Sequence, residues 1–238
     1  MPRFPRHVGF TLVETLLVIA LIALLIAMLM PSLGSAKENA RRVKCASQVR
    51  SLVDLSAIMA NEDNQRLPDL HNDTGKWSSN VYLTTGPNAH TFDIKARDHI
   101  VKSYGQQRAT LYCPSNNEDL WNRDDFWTHT SGRSVFGYTY FAAAPLGHAA
   151  WTYTESGSST IFASKMTDKP RYNVVWSDLN REISPYSWYR YDVARGSNHY
   201  FNEQPTGSNE GFMDSHVEWV PYNLMKPRMK RGTWTFWW

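Results

Sequence analysis

The chain has 238 residues, a net charge of +3 and two cysteines. So small a net charge supplies no field that would gather a polyanion, which removes nucleic acid from the expected partners, and two thiols alone cannot complete a four-ligand zinc site. Its 10 Trp, 12 Tyr and 10 Phe fit either a β-rich core or rings exposed to a partner, and composition does not separate the two.

In chain order, residues 1–9 are short, polar and basic, with Arg3, Arg6 and His7, and read as a leader. From Gly9 to Met30 the sequence is an almost unbroken apolar run with one ionisable side chain, Glu14. As a helix, Phe10 to Met30 would span about 31 Å, close to the roughly 30 Å hydrocarbon core of a bilayer. A secretory signal peptide would have a shorter apolar core and a small-x-small cleavage site on its far side. Here Gly9 stands before the run and Met30-Pro31-Ser32-Leu33 closes it. A carboxylate in the apolar layer is costly, and therefore a functional candidate that needs a partner. A cut after Gly9 would give Phe10 a cationic amine four residues before Glu14, and the amine of a neighbouring copy could neutralise that carboxylate. Pro31 removes a helix hydrogen bond and permits a kink.

The hexapeptide Gly9-Phe10-Thr11-Leu12-Val13-Glu14 resembles the prepilin cleavage and methylation motif of type IV pilins and type II secretion pseudopilins, with basic leader, Gly, Phe and Glu in register. That resemblance implies cleavage after Gly9 and methylation of Phe10 by a prepilin peptidase. It also implies subunit alignment through Glu14, and partners that are other pilin or pseudopilin subunits and an inner-membrane assembly platform. The implied layout is a cytoplasmic leader over 1–9, a transmembrane helix over 10–30 and a domain exported across the cytoplasmic (inner) membrane. Lys37, Arg41, Arg42 and Lys44 after the span outnumber Arg3 and Arg6 before it, and a simple count of cations argues for the opposite orientation. The leader motif takes precedence, because those cations begin only after Pro31. On the outer side of the membrane Cys45 and Cys113 can form a disulfide, and two unpaired buried thiols are the other reading.

Residues 31–61 keep helical spacing, with Leu33, Ala36, Ala40, Val43, Cys45 or Ala46, Val49, Leu52 or Val53, Leu55 and Ile58 at intervals of three or four. Joined to the span they predict a helix of about 50 residues, with Gly34 and Pro31 as a soft point and a stop in Asn61-Glu62-Asp63-Asn64. The rest, 62–238, reads as one globular domain. It carries a mostly irregular stretch with a short helix near Ile94 to Lys102, a short strand or extended turn at Leu111 to Ser115, and a loop with Trp121, Phe126 and Trp127. Strand signals follow at Ser134 to Phe141 and at Asn173 to Ser177 ahead of Asp178, with a hairpin from Gly211 to Val220. The fold class expected is α+β and pilin-like, an antiparallel sheet packed on the outer half of a long N-terminal helix.

This outer part resembles a subgroup of secretion-type pseudopilins found in large numbers in planctomycete-like bacteria. The matching residues are Arg42 and Cys45, Cys113-Pro114, Val174 to Asp178, Asn198-His199, and Asp214-Ser215-His216-Val217 before Glu218-Trp219. Ser215 stands where the subgroup has a turn glycine, and the 14 residues between His199 and Asp214 exceed its usual spacing, so a wider turn is expected here. Asp178, His199, Asp214 and His216 can converge at one end of the sheet as a cation or acid–base set, or can serve as turn and loop hydrogen-bonding groups. Neither metal ligand nor cofactor follows from them. No G-x-S-x-G, H-E-x-x-H or phosphate-binding glycine loop occurs, so no catalytic residue is named and a non-enzymatic role is expected.

The resemblance implies a structural subunit of a type II secretion or type IV pilus-like filament. The alternative is a membrane-tethered binder of glycan or secreted cargo, with Trp121, Trp127, Trp151, Trp188, Tyr189 and Tyr191 as a stacking platform. The tail, Lys226 to Arg231 and Trp234 to Trp238, suits a membrane or subunit contact, or a last strand finishing the core.

Overall fold

A computed structural model describes residues 11–68, 70, 91–115, 122, 124–128, 133–142, 152–153, 162–183, 196–201, 204–231 and 234–238. The chain divides into two compact units, Met1–Ala40 and Arg41–Trp238. One helix, α1 (Leu12–Glu62), runs through the boundary, and its assignment is uninterrupted across Pro31 and Gly34.

In the first unit, Leu12–Met30 is a 19-residue apolar stretch with none of it buried, long and apolar enough to cross a membrane. Its start is locally determined. Thr11 Oγ1 accepts from the Glu14 backbone N–H at 3.3 Å while Glu14 Oε2 accepts from the Thr11 backbone N–H at 2.8 Å, the reciprocal bonds of a capping box.

In the second unit the remainder of α1 buries Cys45, Val49, Leu52, Val53, Leu55, Met59 and Ala60. Val43 and Ile58, expected on that face, are exposed. Two residues along a helix are about 200° apart, so turning Cys45 and Ala60 inward sends Val43 and Ile58 outward. The helix ends where the polar cluster begins. Asn64 takes a left-handed φ of 51°, and the Gln65 N–H donates to the Ala60 carbonyl at 2.7 Å, as in a Schellman-type close.

Next come β1 (Thr91–Asp93) and α2 (Ile94–Ser103), the latter capped by Asp93, whose side chain accepts from the Lys95 N–H. A 3-10 turn, Arg108–Leu111, precedes extended Tyr112, so the stretch expected as a short strand or extended turn begins with a helical turn and holds no strand. Trp127 lies in α3 (Asp124–Trp127) rather than in a loop. The single strand expected over Ser134 to Phe141 is two, β2 (Arg133–Val135) and β3 (Tyr138–Tyr140), in different sheets. Gly137 parts them: its N–H donates to the Leu111 carbonyl, and a Cβ there would lie 2.9 Å from Tyr112 Cα, too close for any side chain.

The remaining strands are β4 (Thr152–Tyr153), β5 (Val174–Asp178), β6 (Arg181–Ile183), β7 (Tyr200–Phe201), β8 (Gln204–Pro205), β9 (Gly207–Phe212), β10 (Val217–Pro221), β11 (Pro227–Arg231) and β12 (Trp234–Trp237). Two four-stranded antiparallel sheets result, in the orders β10-β9-β5-β3 and β4-β11-β12-β6, with β1-β2 and β7-β8 as separate pairs. The class is α+β. The first sheet lies on α1 so closely that a Cβ at Gly211 would come within 2.6 Å of Val53 Cγ2 and 2.7 Å of Val49 Cγ1. Trp176 of β5 is fully buried there, donating its indole N–H to Ser56 Oγ at 2.9 Å and lying 4.7 Å from the Tyr140 ring. The tail finishes a sheet: buried Trp238 sits 4.3 Å from Phe141 and 5.7 Å from Phe162, ring to ring.

Candidate functional site

Because β5 is central in its sheet and packed on α1, its last residue, Asp178, is carried into the interior of the domain. There it meets Cys45 from α1, Cys113 from the turn before Pro114, and His199 just ahead of β7. Their four ligand-type atoms lie within 4.8 Å of one another, and all four residues are buried. Cys45 Sγ donates to Asp178 Oδ1 at 2.8 Å, His199 Nε2 lies 3.2 Å from Asp178 Oδ2, and Cys113 Sγ lies 3.5 Å from His199 Nε2. Both cysteines are free, buried thiols in this structure.

Asp178 is held by more than these. Its Oδ2 accepts from the Asn209 backbone N–H at 2.7 Å and from Asn209 Nδ2 at 2.9 Å, and Oδ1 accepts from Asn198 Nδ2 at 3.0 Å. Burial pushes its pKa up, but the charge and hydrogen bond of His199, with the donors Cys45 and Asn198, outweigh that and keep the carboxyl below its ordinary value. The two thiols are pushed apart. Burial, the hydrogen bond with Cys113 and the charge of Asp178 raise Cys45 well above the usual thiol range. For Cys113, burial is overcome by hydrogen bonds from Cys45 and His199, and its pKa is lowered. Around this centre Tyr138 Oη lies 3.3 Å from Cys45 Sγ and donates to Gln48 Oε1 at 2.7 Å, while the Trp219 ring stands edge-on to His199 at 5.2 Å. Arg42 in turn lies over Trp219 at 4.3 Å.

The four polar residues named together in the sequence separate into two pairs. Asp178 and His199 are fully buried, whereas Asp214 and His216 are 72% and 53% exposed and bond to each other in the turn between β9 and β10. The turn is wider than two residues, as Ser215 in the glycine's place leads one to expect: Phe212 N–H donates to the His216 carbonyl, and Ser215 adopts a left-handed φ of 66°. The His216 ring stacks on Phe212 at 4.2 Å. A turn with its own closed hydrogen bonds has no reason to reach into the core, and this is why the four do not converge.

Gly9 and Phe10 lie outside the described residues. Glu14 is exposed, with Thr11 as its partner, and the Thr-x-x-Glu spacing is the sequence signal for that cap. Of the six rings of the glycan platform, Trp127 alone is described. It is half-buried between Tyr112, Phe136, Arg97 and Arg108. Sequence reasoning also missed Gln48, Tyr138 and Asn209. No local pattern marks them, because each reaches the site only through strand pairing or helix packing. The sequence pattern holds both cysteines together with Asp178 and His199, but two thiols alone do not make a four-ligand site, and only the fold brings the other two ligands beside them. No protein-family model, curated protein or solved structure matches this chain.

Proposed function

We propose that this chain is a non-enzymatic, pilin-like subunit of a type II secretion or type IV pilus-like filament, cut after Gly9, methylated at Phe10 and assembled through its apolar helix. The domain from Arg41 onward would then stand on the outer side of the cytoplasmic membrane. The observation that carries the reading is Glu14 in the first turn of α1, within its 19-residue apolar stretch and four residues after Phe10. An antiparallel sheet laid on the second part of the same helix is compatible with it. In a filament the Phe10 amine of one subunit neutralises the Glu14 carboxylate of another inside the apolar layer, where an unpaired charge is costly.

Glu14 has a competing local task, since the capping bonds to Thr11 by themselves account for an acid at this position. Two variants separate the tasks. Glu14→Gln keeps a capping acceptor and removes the charge, while Glu14→Ala removes both. Both are expected to be cleaved and methylated normally and to stay out of filaments. Wild-type incorporation of Glu14→Gln would leave capping as the whole explanation. The processing step is tested by N-terminal peptide mass spectrometry of the protein from its membrane, with and without an active prepilin peptidase. A chain beginning at N-methylated Phe10 only when the peptidase is active is the expected result, and an uncut chain beginning at Met1 would reduce the segment to a plain signal anchor.

A further inference from the structure

We propose that Cys45, Cys113, Asp178 and His199 form a structural zinc site, with Zn2+ held by two thiolates, one carboxylate oxygen and His199 Nε2. The inference is independent of the filament reading. It concerns what holds the outer domain together, whatever that domain joins.

Geometry is the first argument. Tetrahedral zinc with bonds of about 2.3 Å to sulfur and about 2.0–2.1 Å to nitrogen and oxygen has ligand–ligand edges of about 3.3–3.8 Å. Cys113 Sγ to His199 Nε2 is 3.5 Å and His199 Nε2 to Asp178 Oδ2 is 3.2 Å, near those edges without rearrangement. Cys45 Sγ lies 2.8 Å from the other carboxylate oxygen, Oδ1, which is a thiol hydrogen bond and not an edge of a tetrahedron that takes Oδ2 as its ligand. That proton leaves when the thiolate binds zinc, and the four ligand atoms, all within 4.8 Å of one another, then close to the tetrahedral edges.

The donor set is the second argument. Two sulfurs and an imidazole suit a borderline-soft ion, whereas calcium and magnesium take oxygen ligands. All four ligands are buried and all come from the protein, leaving no open position for water or substrate, as in structural rather than catalytic zinc. The surroundings supply what such ligands need beyond the metal. Asn198 and Asn209 fix the Asp178 carboxylate, the Tyr138 hydroxyl sits beside Cys45 Sγ, and Trp219 walls His199. One ion would join α1, the turn after the 3-10 segment, the end of β5 and the approach to β7. In the binding step the protons of both thiols, and that of His199 Nε2 where present, leave to solvent. No electrons move. The competing oxidised state, a Cys45–Cys113 disulfide, would require an oxidant to take two electrons.

The test uses the full chain, extracted in detergent from its membrane without chelator, and reads metal content, thiol state and a spectrum. The expected result is about one zinc per chain, with both thiols unreactive until the metal is chelated. Exchange with Co2+ under reducing conditions should give thiolate-to-cobalt charge-transfer bands and the visible bands of a tetrahedral ion. Cys45→Ser and Cys113→Ser should each lower zinc affinity at least about tenfold, while Asp214→Asn and His216→Ala, on the exposed turn, should leave it unchanged. Since a ligand variant can lose its fold, the cobalt spectrum of the unaltered chain is decisive. A chain that takes up neither Zn2+ nor Co2+ when reduced, cobalt bound without sulfur bands, or a Cys45–Cys113 disulfide in the protein as isolated would each overturn the proposal.

Discussion

Asp178–His199 and Asp214–His216 join the same two side-chain types under opposite conditions. The first pair is wholly buried, and its carboxylate takes hydrogen bonds from Cys45, Asn198 and Asn209 besides facing the imidazole. The second lies on the β9–β10 turn in contact with solvent. Water competes for the exposed pair and screens it, so little depends on the partner; in the interior nothing replaces a lost partner. Glu210 sharpens the contrast. It is buried like Asp178, but its Oε1 has no hydrogen-bond partner among the described residues, and burial pushes its pKa up to about 7 where that of Asp178 is held down. Interior position alone therefore does not set a carboxyl's charge state. The charges and hydrogen-bond donors around it do.

The largest effect is expected from Asp178→Ala, which leaves His199 without its counter-group and strands the Asn209 backbone N–H and two side-chain amides. A loss of about 3–5 kcal/mol should appear in denaturant unfolding of the detergent-solubilised chain, and a loss comparable to that of a surface substitution would erase the distinction between the pairs. Next comes pH. Glu210 is raised from an ordinary 4.5 to about 7 by burial first, then by Glu218 across the strand and by Asp178, against Arg228. With the folded value above the unfolded one, the neutral acid's contribution is complete below about pH 4.5 and is lost as pH rises through about 7. About 3 kcal/mol should disappear over that window, and Glu210→Gln should flatten this part of the stability profile; an unchanged profile would mean that Glu210 is solvated.

A smaller gain is expected at the turn. Ser215 holds a left-handed φ that costs an L residue, so Ser215→Gly should stabilise the domain by about 0.5–1 kcal/mol, read as a higher unfolding midpoint. The smallest effect belongs to the exposed pair itself: Asp214→Ala and His216→Ala, singly or together, should leave the midpoint where it is. A shift rivalling that of Asp178→Ala would show that the turn is tied to the core after all.

What could be read from the chain alone was whatever depends on neighbours in sequence. The apolar span, the helix end at Asn61 to Asn64, the helix at 94–103, the apolar strand running into Asp178 and the β9–β10 hairpin all announce themselves through periodicity, capping types or turn residues. The split of the Ser134 to Phe141 stretch was hidden, because Gly137 is required only by the close approach of Tyr112, distant in sequence. Most of the inward face of α1 was legible, since Cys45, Val49, Leu52, Val53 and Leu55 are buried as their spacing implies, but the outward turn of Val43 and Ile58 was hidden for the same reason. Val43 and Cys45 are both apolar, and it is the approach of Gly211 on β9 to Val49 and Val53 that selects which side turns in. The candidate centre belongs with these. Its residue types were all visible, yet cysteines 68 positions apart and an Asp–His pair 21 apart form one cluster only once β5 is laid between β3 and β9 against the helix. Sequence by itself determined the membrane-length helix, the motif before it and the α+β class, because those rest on local pattern. Tertiary structure decided which polar side chains share a water-free interior, because desolvation and hydrogen-bond satisfaction act between segments that only folding brings together.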